Sequence, residues 1–157
     1  MASVQDRKPR VLISAPYMQP EIQRFRSFFE SNDIEVVVPP VNERLEEDDL
    51  LQWALDVDGT ICGDDRYSAE VLVKAAPRLK VISKWGTGID SIDKKTCAEL
   101  GIAVCNTPNA FSEPVADTVF GYMLCFARQL PSPQSYYLNN SQLGQPSVLG
   151  YGTFTLL

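Results

Sequence analysis

Five short apolar runs alternate with amphipathic helical stretches through residues 10–105, and this alternation limits the folds open to the chain. The runs cover residues 10–15, 35–38, 58–62, 79–83 and 102–105. A strand followed by a helix joins its next neighbour in parallel through a right-handed crossover over one face of the sheet. The sequence therefore predicts an α/β fold, with a parallel five-stranded sheet and helices on both faces.

Helical patterns fill the intervals between these runs. Helices are predicted over 21–30, 46–55, 68–76 and 93–101. Phe25, Phe28 and Phe29 recur at helical spacing in the first of them, and we expect these rings to lie in the core. Ser68 and Asp93 are residues of the type that caps the amino terminus of a helix, and each precedes one of the predicted helices.

A longer helix is predicted over residues 112–130, and it is apolar nearly all round. Its large apolar residues are Val115, Val119, Phe120, Tyr122, Met123, Leu124 and Phe126. A helix of this kind needs cover on two sides, and one small sheet covers only one of them. We therefore expect a second domain, a partner subunit or another copy of the chain in a homo-oligomer to cover the rest.

The composition changes after Arg128, which is the last charged residue. Proline, glycine and asparagine interrupt the segment that follows, and no amphipathic period continues there. The sequence thus predicts three parts. They are a lobe over 1–110, a helix over 111–131, and an irregular or disordered tail over 132–157.

The charge balance restricts the partners of the chain. Among 157 residues, 14 are basic and 20 acidic, giving a net charge of −6, which argues against binding to nucleic acid or to an anionic membrane. Residues 1–10 lack the apolar core of a signal peptide, and no apolar run approaches the roughly 20 residues of a membrane span. We expect a cytoplasmic protein without a membrane segment.

Cysteine and histidine usage limits the chemistry. The four cysteines never stand in a C-x-x-C spacing, so we expect reduced and mostly buried thiols rather than a zinc site or a redox dithiol. Histidine is absent, which excludes histidine metal ligands, an imidazole base and histidine-dependent nucleophiles from this chain. No catalytic residue and no metal ligand is therefore assigned.

Gly86, Thr87 and Gly88 follow the fourth apolar run and precede a predicted helix. Glycine permits positive φ and close approach of the backbone, so that successive N–H groups can converge on a carboxylate or a phosphate. The simpler interpretation is a tight strand-to-helix turn without a ligand. Because ligands of parallel sheets bind at the carboxyl ends of the strands, the loops at 63–66 and 106–109 join this glycine turn as the candidate site.

Four segments carry a family resemblance: residues 79–93, 101–109, 115–117 and 125–131. In order and spacing they closely resemble the D-isomer-specific 2-hydroxyacid dehydrogenases, and the phosphoglycerate dehydrogenase branch is the most similar. The resemblance implies that 1–110 is a flavodoxin-like substrate-binding lobe. It also implies that 111–131 contains an interdomain helix that enters an NAD-binding domain, which we expect to be missing from this chain.

The resemblance also implies how a substrate is held. The backbone amides of Gly86, Thr87 and Gly88 are expected to bind the substrate carboxylate. Arg66 is a candidate to reach a phosphate or an acid arm of the substrate, with simple solvation as the alternative. Cys62 stands where phosphoglycerate dehydrogenases tend to carry an arginine that contacts the substrate, which is a departure from that branch.

For the cofactor, the resemblance implies NAD. Thr87 is expected to lie next to the nicotinamide portion, while Asn106, Thr107 and Pro108 shape the wall of the cleft. Hydride transfer in this family also needs a Rossmann glycine motif, an arginine, a glutamate and a histidine. None of these maps onto the sequence.

These observations predict the substrate-binding lobe of an NAD-dependent dehydrogenase that transfers a hydride between NAD and a small 2-hydroxy or 2-keto acid, phosphoglycerate among them. We expect the chain to be a truncated product that is inactive alone. The alternative is a stand-alone flavodoxin-like module that binds a small carboxylate or a partner subunit. Thermal stability measured with 2-keto acids and with NAD separately distinguishes the two, since a shift with the acid alone favours the module.

Overall fold

A parallel five-stranded sheet forms the centre of the structure, a computed structural model that describes residues 7–128. The strands are β1 (Arg10–Ile13), β2 (Glu35–Val37), β3 (Gly59–Cys62), β4 (Val81–Lys84) and β5 (Ala103–Cys105). Their order in the sheet is β2-β1-β3-β4-β5, and every neighbouring pair is parallel. The predicted α/β fold with a flavodoxin-like sheet is confirmed.

Helices occupy the connections between the strands. They are α1 (Ile22–Ser31), which follows a 3-10 turn at Gln19–Glu21, α2 (Glu47–Trp53), α3 (Ala69–Ala75), α4 (Lys94–Leu100) and α5 (Ser112–Arg128). Each predicted helix is present, and the ends of the first four differ from the predicted ones by one or two residues. The predicted end of the last helix at 130 and the predicted tail 132–157 lie outside the described residues.

Side chains alternate between the two faces of the sheet, and each face has its own core. The larger cluster joins Leu12 of β1 to buried residues of α2, α3 and α4: Leu50, Leu72 and Cys97 among them. The smaller cluster joins Ile13, the next residue of β1, to Phe29 of α1. Helices therefore cover both faces, with α1 on one and α2, α3 and α4 on the other.

The aromatic residues of α1 are only partly in the core. Phe29 is buried, whereas Phe25 and Phe28 are exposed, so the expectation that all these rings are buried is wrong for two of them. Ile22 packs on the same cluster as Phe29. These two residues are seven positions apart and share one face of a helix with 3.6 residues per turn, while Phe25 and Phe28 lie off that stripe.

The two candidate N-caps behave differently. Asp93 Oδ1 accepts a hydrogen bond from Thr96 N at 3.0 Å and caps α4 as predicted. Ser68 precedes α3, but its hydroxyl makes no hydrogen bond and is buried, so the expected side-chain cap there is wrong. The Ser68 backbone is held in a turn instead, because its N–H donates to Arg66 O at 3.0 Å.

The cysteines are reduced, and they differ in burial. Cys62 and Cys97 are buried, Cys125 is partly exposed and Cys105 is exposed, which corrects the expectation that most of them lie in the core. Cys105 belongs to β5, which is an edge strand, and its neighbour Val104 points to the larger cluster. The Cys105 side chain therefore points to the opposite face, whose cluster joins α1 to β1, β2 and β3 only.

The described residues fall into two compact units that divide between Ala110 and Phe111. The first unit contains the sheet and α1 to α4. The second contains α5, whose large apolar side chains are exposed, among them Val115, Val119, Phe120, Tyr122, Met123, Leu124 and Phe126. Over residues 7–128, no helix is both long enough and apolar enough to cross a membrane.

Candidate functional site

The chain leaving β1 crosses the end of β3 at the carboxyl edge of the sheet. Ser14 N and Ala15 N both donate to Ile61 O, at 3.0 and 3.2 Å. The sequence placed the first strand over 10–15, whereas the regular strand ends at Ile13 because one carbonyl accepts from both following amides. This arrangement brings the loop after β1 next to the loop after β3.

A buried carboxylate, Asp65, holds the loop after β3 in place. Ser14 Oγ donates to Asp65, and Leu45 N donates to Asp65 Oδ1 at 2.7 Å. Burial raises the pKa of Asp65, and the hydrogen bond from the Leu45 amide opposes part of that rise. Because three segments of the chain meet at this carboxylate, it fixes the neighbouring residues Asp64 and Arg66.

Lys84 ends β4 with a buried ammonium group. Its side chain is 4% exposed, and it pairs with the carboxylate of Asp64, which is 77% exposed. Lys84 Nζ also donates to Gly63 O at 2.6 Å. A buried cation needs such partners, since desolvation of an unpaired charge costs on the order of several kcal/mol. The interaction ties the end of β4 to the loop after β3.

The glycine turn follows directly and is tied to the loop after β5. Gly86 has a φ of +146°, which side-chain-bearing residues rarely adopt, whereas Gly88 lies outside the positive-φ region. Thr107 N donates to Gly86 O at 3.0 Å. Asn106 Nδ2 donates to Thr87 O at 2.7 Å, and Thr87 Oγ1 donates to Thr107 O at 3.1 Å. Three hydrogen bonds between the two loops thus hold the turn in one conformation.

The turn presents free amides beside a cavity. Within residues 7–128, Thr87 N and Gly88 N donate to no acceptor. The cavity has a volume of about 440 Å³, and it is lined by Ala15, Pro16, Tyr17, Asn42, Glu43, Gly63, Asp64, Lys84, Trp85, Gly86, Thr87 and Gly88. Unpaired backbone amides are strong donors, and a small anion in this cavity could accept from them.

Arg66 lines a different cavity, of about 710 Å³, which shares Gly88 and Asp64 with the first. Arg66 Nε lies 2.9 Å from Glu46 Oε2, and Arg44 Nε lies 2.7 Å from Glu46 Oε1. Both guanidinium groups are thus engaged with one carboxylate at the entrance to α2. The wall of this second cavity carries both charges, since it contains acidic side chains beside the two arginines.

The predicted site residues fall into two groups. The structure brings five of them together: Gly86, Thr87, Gly88, Asn106 and Thr107. Pro108 is exposed beside this group. Arg66 lines the neighbouring cavity, to which Gly88 is the one member of this group that also contributes.

Tyr17, Lys84 and Trp85 are among the residues of the cavity wall that were not assigned to the site from the sequence. Lys84 carried one signal, because a lysine that ends an apolar run at the carboxyl edge of a sheet is unusual in a buried strand. Tyr17 and Trp85 carried none, since their position at one cavity depends on how two loops from different strands meet.

Cys62 is buried and inaccessible to a ligand in the cavity. The residue is fully buried in the larger core cluster, and burial raises the pKa of its thiol to about 12. It therefore contributes neither a thiolate nor a contact surface to the cavity. No group of acidic, cysteine or histidine side chains among residues 7–128 is arranged to hold a metal ion.

Comparison with known proteins adds a family match. Residues 11–153 match the sequence profile of the family described as D-isomer specific 2-hydroxyacid dehydrogenase, catalytic domain. The D-3-phosphoglycerate dehydrogenase of Sus scrofa is 34% identical over 89 residues, which are 57% of this chain and 17% of that protein. The glyoxylate reductase of Thermococcus onnurineus is 32% identical over 124 residues, or 78% of this chain and 35% of that protein.

A solved structure agrees with the sequence matches. The NAD+-bound 3-phosphoglycerate dehydrogenase of Entamoeba histolytica superposes with a TM-score of 0.64 at 25% identity, over 76% of this chain and 39% of that one. This chain thus spans between a sixth and two fifths of the length of these similar proteins.

Proposed function

The chain belongs to the family of D-isomer specific 2-hydroxyacid dehydrogenases, and from this membership we propose that residues 1–110 are the substrate-binding lobe of an NAD-dependent enzyme. Its reaction would transfer a hydride between NAD and a 2-hydroxy or 2-keto acid. In this proposal the glycine turn binds the carboxylate of that acid. Family membership favours this function over a stand-alone module that binds a small carboxylate.

One observation carries the proposal: two neighbouring amides, Thr87 N and Gly88 N, have no acceptor within residues 7–128 and belong to the wall of a cavity. Each hydrogen bond from a neutral amide to a carboxylate contributes about 1.5 to 3 kcal/mol. The contacts of the turn with Asn106 and Thr107 hold both donors in place before a ligand arrives. Little conformational entropy is therefore lost on binding.

We propose that the nicotinamide of NAD binds next to four residues: Thr87, Asn106, Thr107 and Pro108. The hydroxyl of Thr87 and the side-chain oxygen of Asn106 can each accept a hydrogen bond, which suits the carboxamide of nicotinamide. When bound, NAD would accept or supply the hydride. The lobe itself holds and orients the acid.

Binding and orientation are the only roles assigned to this lobe. The sequence contains no histidine, and none of its side chains is proposed as the acid or base of the reaction. We therefore expect the 157-residue chain alone to bind the acid without reducing it. Arg66 is kept as a candidate contact for a longer substrate arm, in competition with its ion pair to Glu46.

Helix α5 is proposed as the interdomain helix of the family. Its apolar side chains are exposed around most of the helix, and an NAD-binding domain or a second copy of the chain would cover them. Association through this helix would bury apolar surface, which is the main favourable contribution to most protein contacts.

Calorimetric titration of the 157-residue chain with pyruvate tests the carboxylate site on which the proposed function depends. Methyl pyruvate is the matched control, because it keeps the keto group and lacks the negative charge. We expect heat of binding with pyruvate and none with the ester. The Gly88→Ala variant should weaken binding of pyruvate, since Gly88 lines the cavity and a methyl group beside its amide takes up space next to the proposed donors. The added Cβ has room within the protein, because its nearest neighbour is Asp90 Oδ2, at 3.9 Å.

Gly121→Ala provides the matched control variant for this titration. It makes the same chemical change in α5, where nothing lies within 4 Å of the new Cβ, and it should leave pyruvate binding unchanged. Equal binding of pyruvate and its ester, or no binding of either, would contradict the proposed carboxylate site.

A further inference from the structure

Two large aromatic side chains border the cavity at the glycine turn and remain open to solvent. Tyr17 is 79% exposed and Trp85 is 40% exposed, and both line the cavity together with Ala15 and Pro16. Exposed aromatic surface is unfavourable in water and gains free energy when a ligand covers it. Next to a carboxylate-binding turn, such a wall suits an apolar group on the same ligand.

The backbone ties both aromatic residues to the sheet. Trp85 N donates to Cys62 O at 2.8 Å, which extends the pairing of β3 with β4 by one residue. Tyr17 lies in the turn that Met18 N closes on Ala15 O at 3.0 Å. The backbone of both aromatic residues is therefore fixed at the ends of two strands before a ligand binds.

The charges of the cavity wall oppose a second acidic group on the ligand. Lys84 contributes an ammonium, which is already engaged by Asp64 and by the Gly63 carbonyl. Glu43 adds another carboxylate to the same wall. Among the described residues the wall thus carries more negative than positive charge. One carboxylate of the ligand can use the amides of the turn, and a second would meet repulsion.

Resting on the function proposed above, we propose that Tyr17 and Trp85 make this site selective for 2-keto and 2-hydroxy acids with an aromatic side chain. The carboxylate of the ligand binds Thr87 N and Gly88 N, and its ring packs on the two aromatic residues. Acids whose second carboxylate or phosphate would lie in this same cavity are disfavoured by Glu43 and Asp64.

Calorimetry on the whole 157-residue chain tests this selectivity with three probes: phenylpyruvate, pyruvate and oxaloacetate. Phenylpyruvate is pyruvate with an added ring, and we expect it to bind about tenfold more tightly because the ring buries apolar surface. Oxaloacetate, with its second carboxylate, should bind no better than pyruvate. Trp85→Ala and Tyr17→Ala should each lower the affinity for phenylpyruvate about fivefold and should lower that for pyruvate much less, because pyruvate has no ring to pack on them.

Two further variants control this experiment. Phe28→Ala removes a ring from α1, outside the cavity, whose exposure lies between those of Trp85 and Tyr17, and it should change no affinity. Trp85→Phe retains a ring and should keep most of the affinity for phenylpyruvate, which separates lost contact from lost folding if Trp85→Ala is unstable.

The outcomes separate this inference from the function on which it rests. Equal affinities for pyruvate and phenylpyruvate, or tightest binding of oxaloacetate, overturn the aromatic selectivity and leave the carboxylate site intact. Absence of binding by all three acids overturns both.

Discussion

Two glycines of the same turn are held by different physical constraints. Gly86 requires its lack of a side chain because of its backbone, with a φ of +146°. Gly88 has an ordinary φ and lies in a cavity wall, so its lack of a side chain leaves room for a ligand. We therefore expect Gly86 to matter for stability and Gly88, in the proposed function, for ligand binding.

Replacement of each glycine by alanine separates these two roles. We expect Gly86→Ala to lower the free energy of unfolding by about 1 to 3 kcal/mol, because alanine is strained at that φ. Its Cβ would also lie 3.3 Å from Lys84 Cε. Gly88→Ala should stay within about 1 kcal/mol of the wild type. Urea unfolding followed by circular dichroism measures both, and equal destabilisation would show that the distinction is wrong.

The sequence indicated the glycine turn and the residues that bond to it, but not the buried charges behind it. Asp65 looked like one of several acidic residues in a polar loop, yet it is fully buried. Its burial depends on Ser14 and Leu45, which reach it from distant positions in the chain. Hydrophobic periodicity describes one helix or strand at a time. It contains no information on contacts between residues that are distant in the sequence.

The amino termini of α3 and α4 differ in whether a side chain caps the helix. Helices α3 and α4 both have seven residues and a polar residue at the N-cap. Asp93 accepts from Thr96 N, while the buried Ser68 hydroxyl has no partner. The residue type predicted a cap at both positions. Only the position of the side chain relative to its helix decides whether the hydrogen bond forms.

Alanine at these two positions should give different changes in stability. Asp93→Ala removes a cap and should lower the free energy of unfolding by about 0.5 to 2 kcal/mol. Ser68→Ala removes a buried hydroxyl that makes no hydrogen bond, so we expect no loss and a gain of up to about 1 kcal/mol. Chemical denaturation measures both. A larger loss for Ser68→Ala than for Asp93→Ala would contradict the described hydrogen bonding.

The order and type of the elements could be predicted because the strands are short apolar runs, whereas the helices between them are amphipathic with a period of 3.6 residues. Strand β1 was predicted two residues too long, since Ser14 and Ala15 are small residues that continue the apolar run as far as Pro16. The shared carbonyl of Ile61 ends the ladder there. That contact crosses from one strand to another, so no pattern within β1 could indicate it.

A cluster of charged side chains lies at the amino edge of the sheet, which is the edge opposite the candidate site. Arg7 and Arg78 donate to Asp56 Oδ1 at 2.8 and 2.7 Å, and Arg10 pairs with the same carboxylate. Arg78 also donates to Asp58 Oδ2, at 3.0 Å. The cluster joins the segment before β1 to the segments before β3 and β4.

The pH dependence of stability should report on this cluster. The hydrogen bond from Arg7, with the charges of Arg78 and Arg10, lowers the pKa of Asp56 from 3.8 to about 2. The stabilisation is therefore complete above the unfolded value of 3.8 and is lost as the pH falls through about 2. Asp56→Asn should be less stable at neutral pH and should lose less stability on acidification.

Urea unfolding at several pH values between neutrality and about pH 2 measures this effect, and added salt should weaken it because the carboxylate is exposed. Glu30→Gln is the matched control, since its i,i+4 pair with Arg26 is exposed on α1. Parallel pH curves for the wild type and Asp56→Asn would exclude a contribution from the cluster.

All strands of a parallel sheet run in the same direction, so the charged cluster and the glycine turn lie at opposite edges of the sheet and can be substituted separately. The charged cluster lies at the amino ends of the strands and the glycine turn at their carboxyl ends, about 10 Å apart along a strand of four residues. Substitutions at that separation usually add independently. Substitutions near Asp56 could thus raise thermal stability, and substitutions at Tyr17 and Trp85 could change the proposed ligand preference. Neither set is expected to cancel the effect of the other.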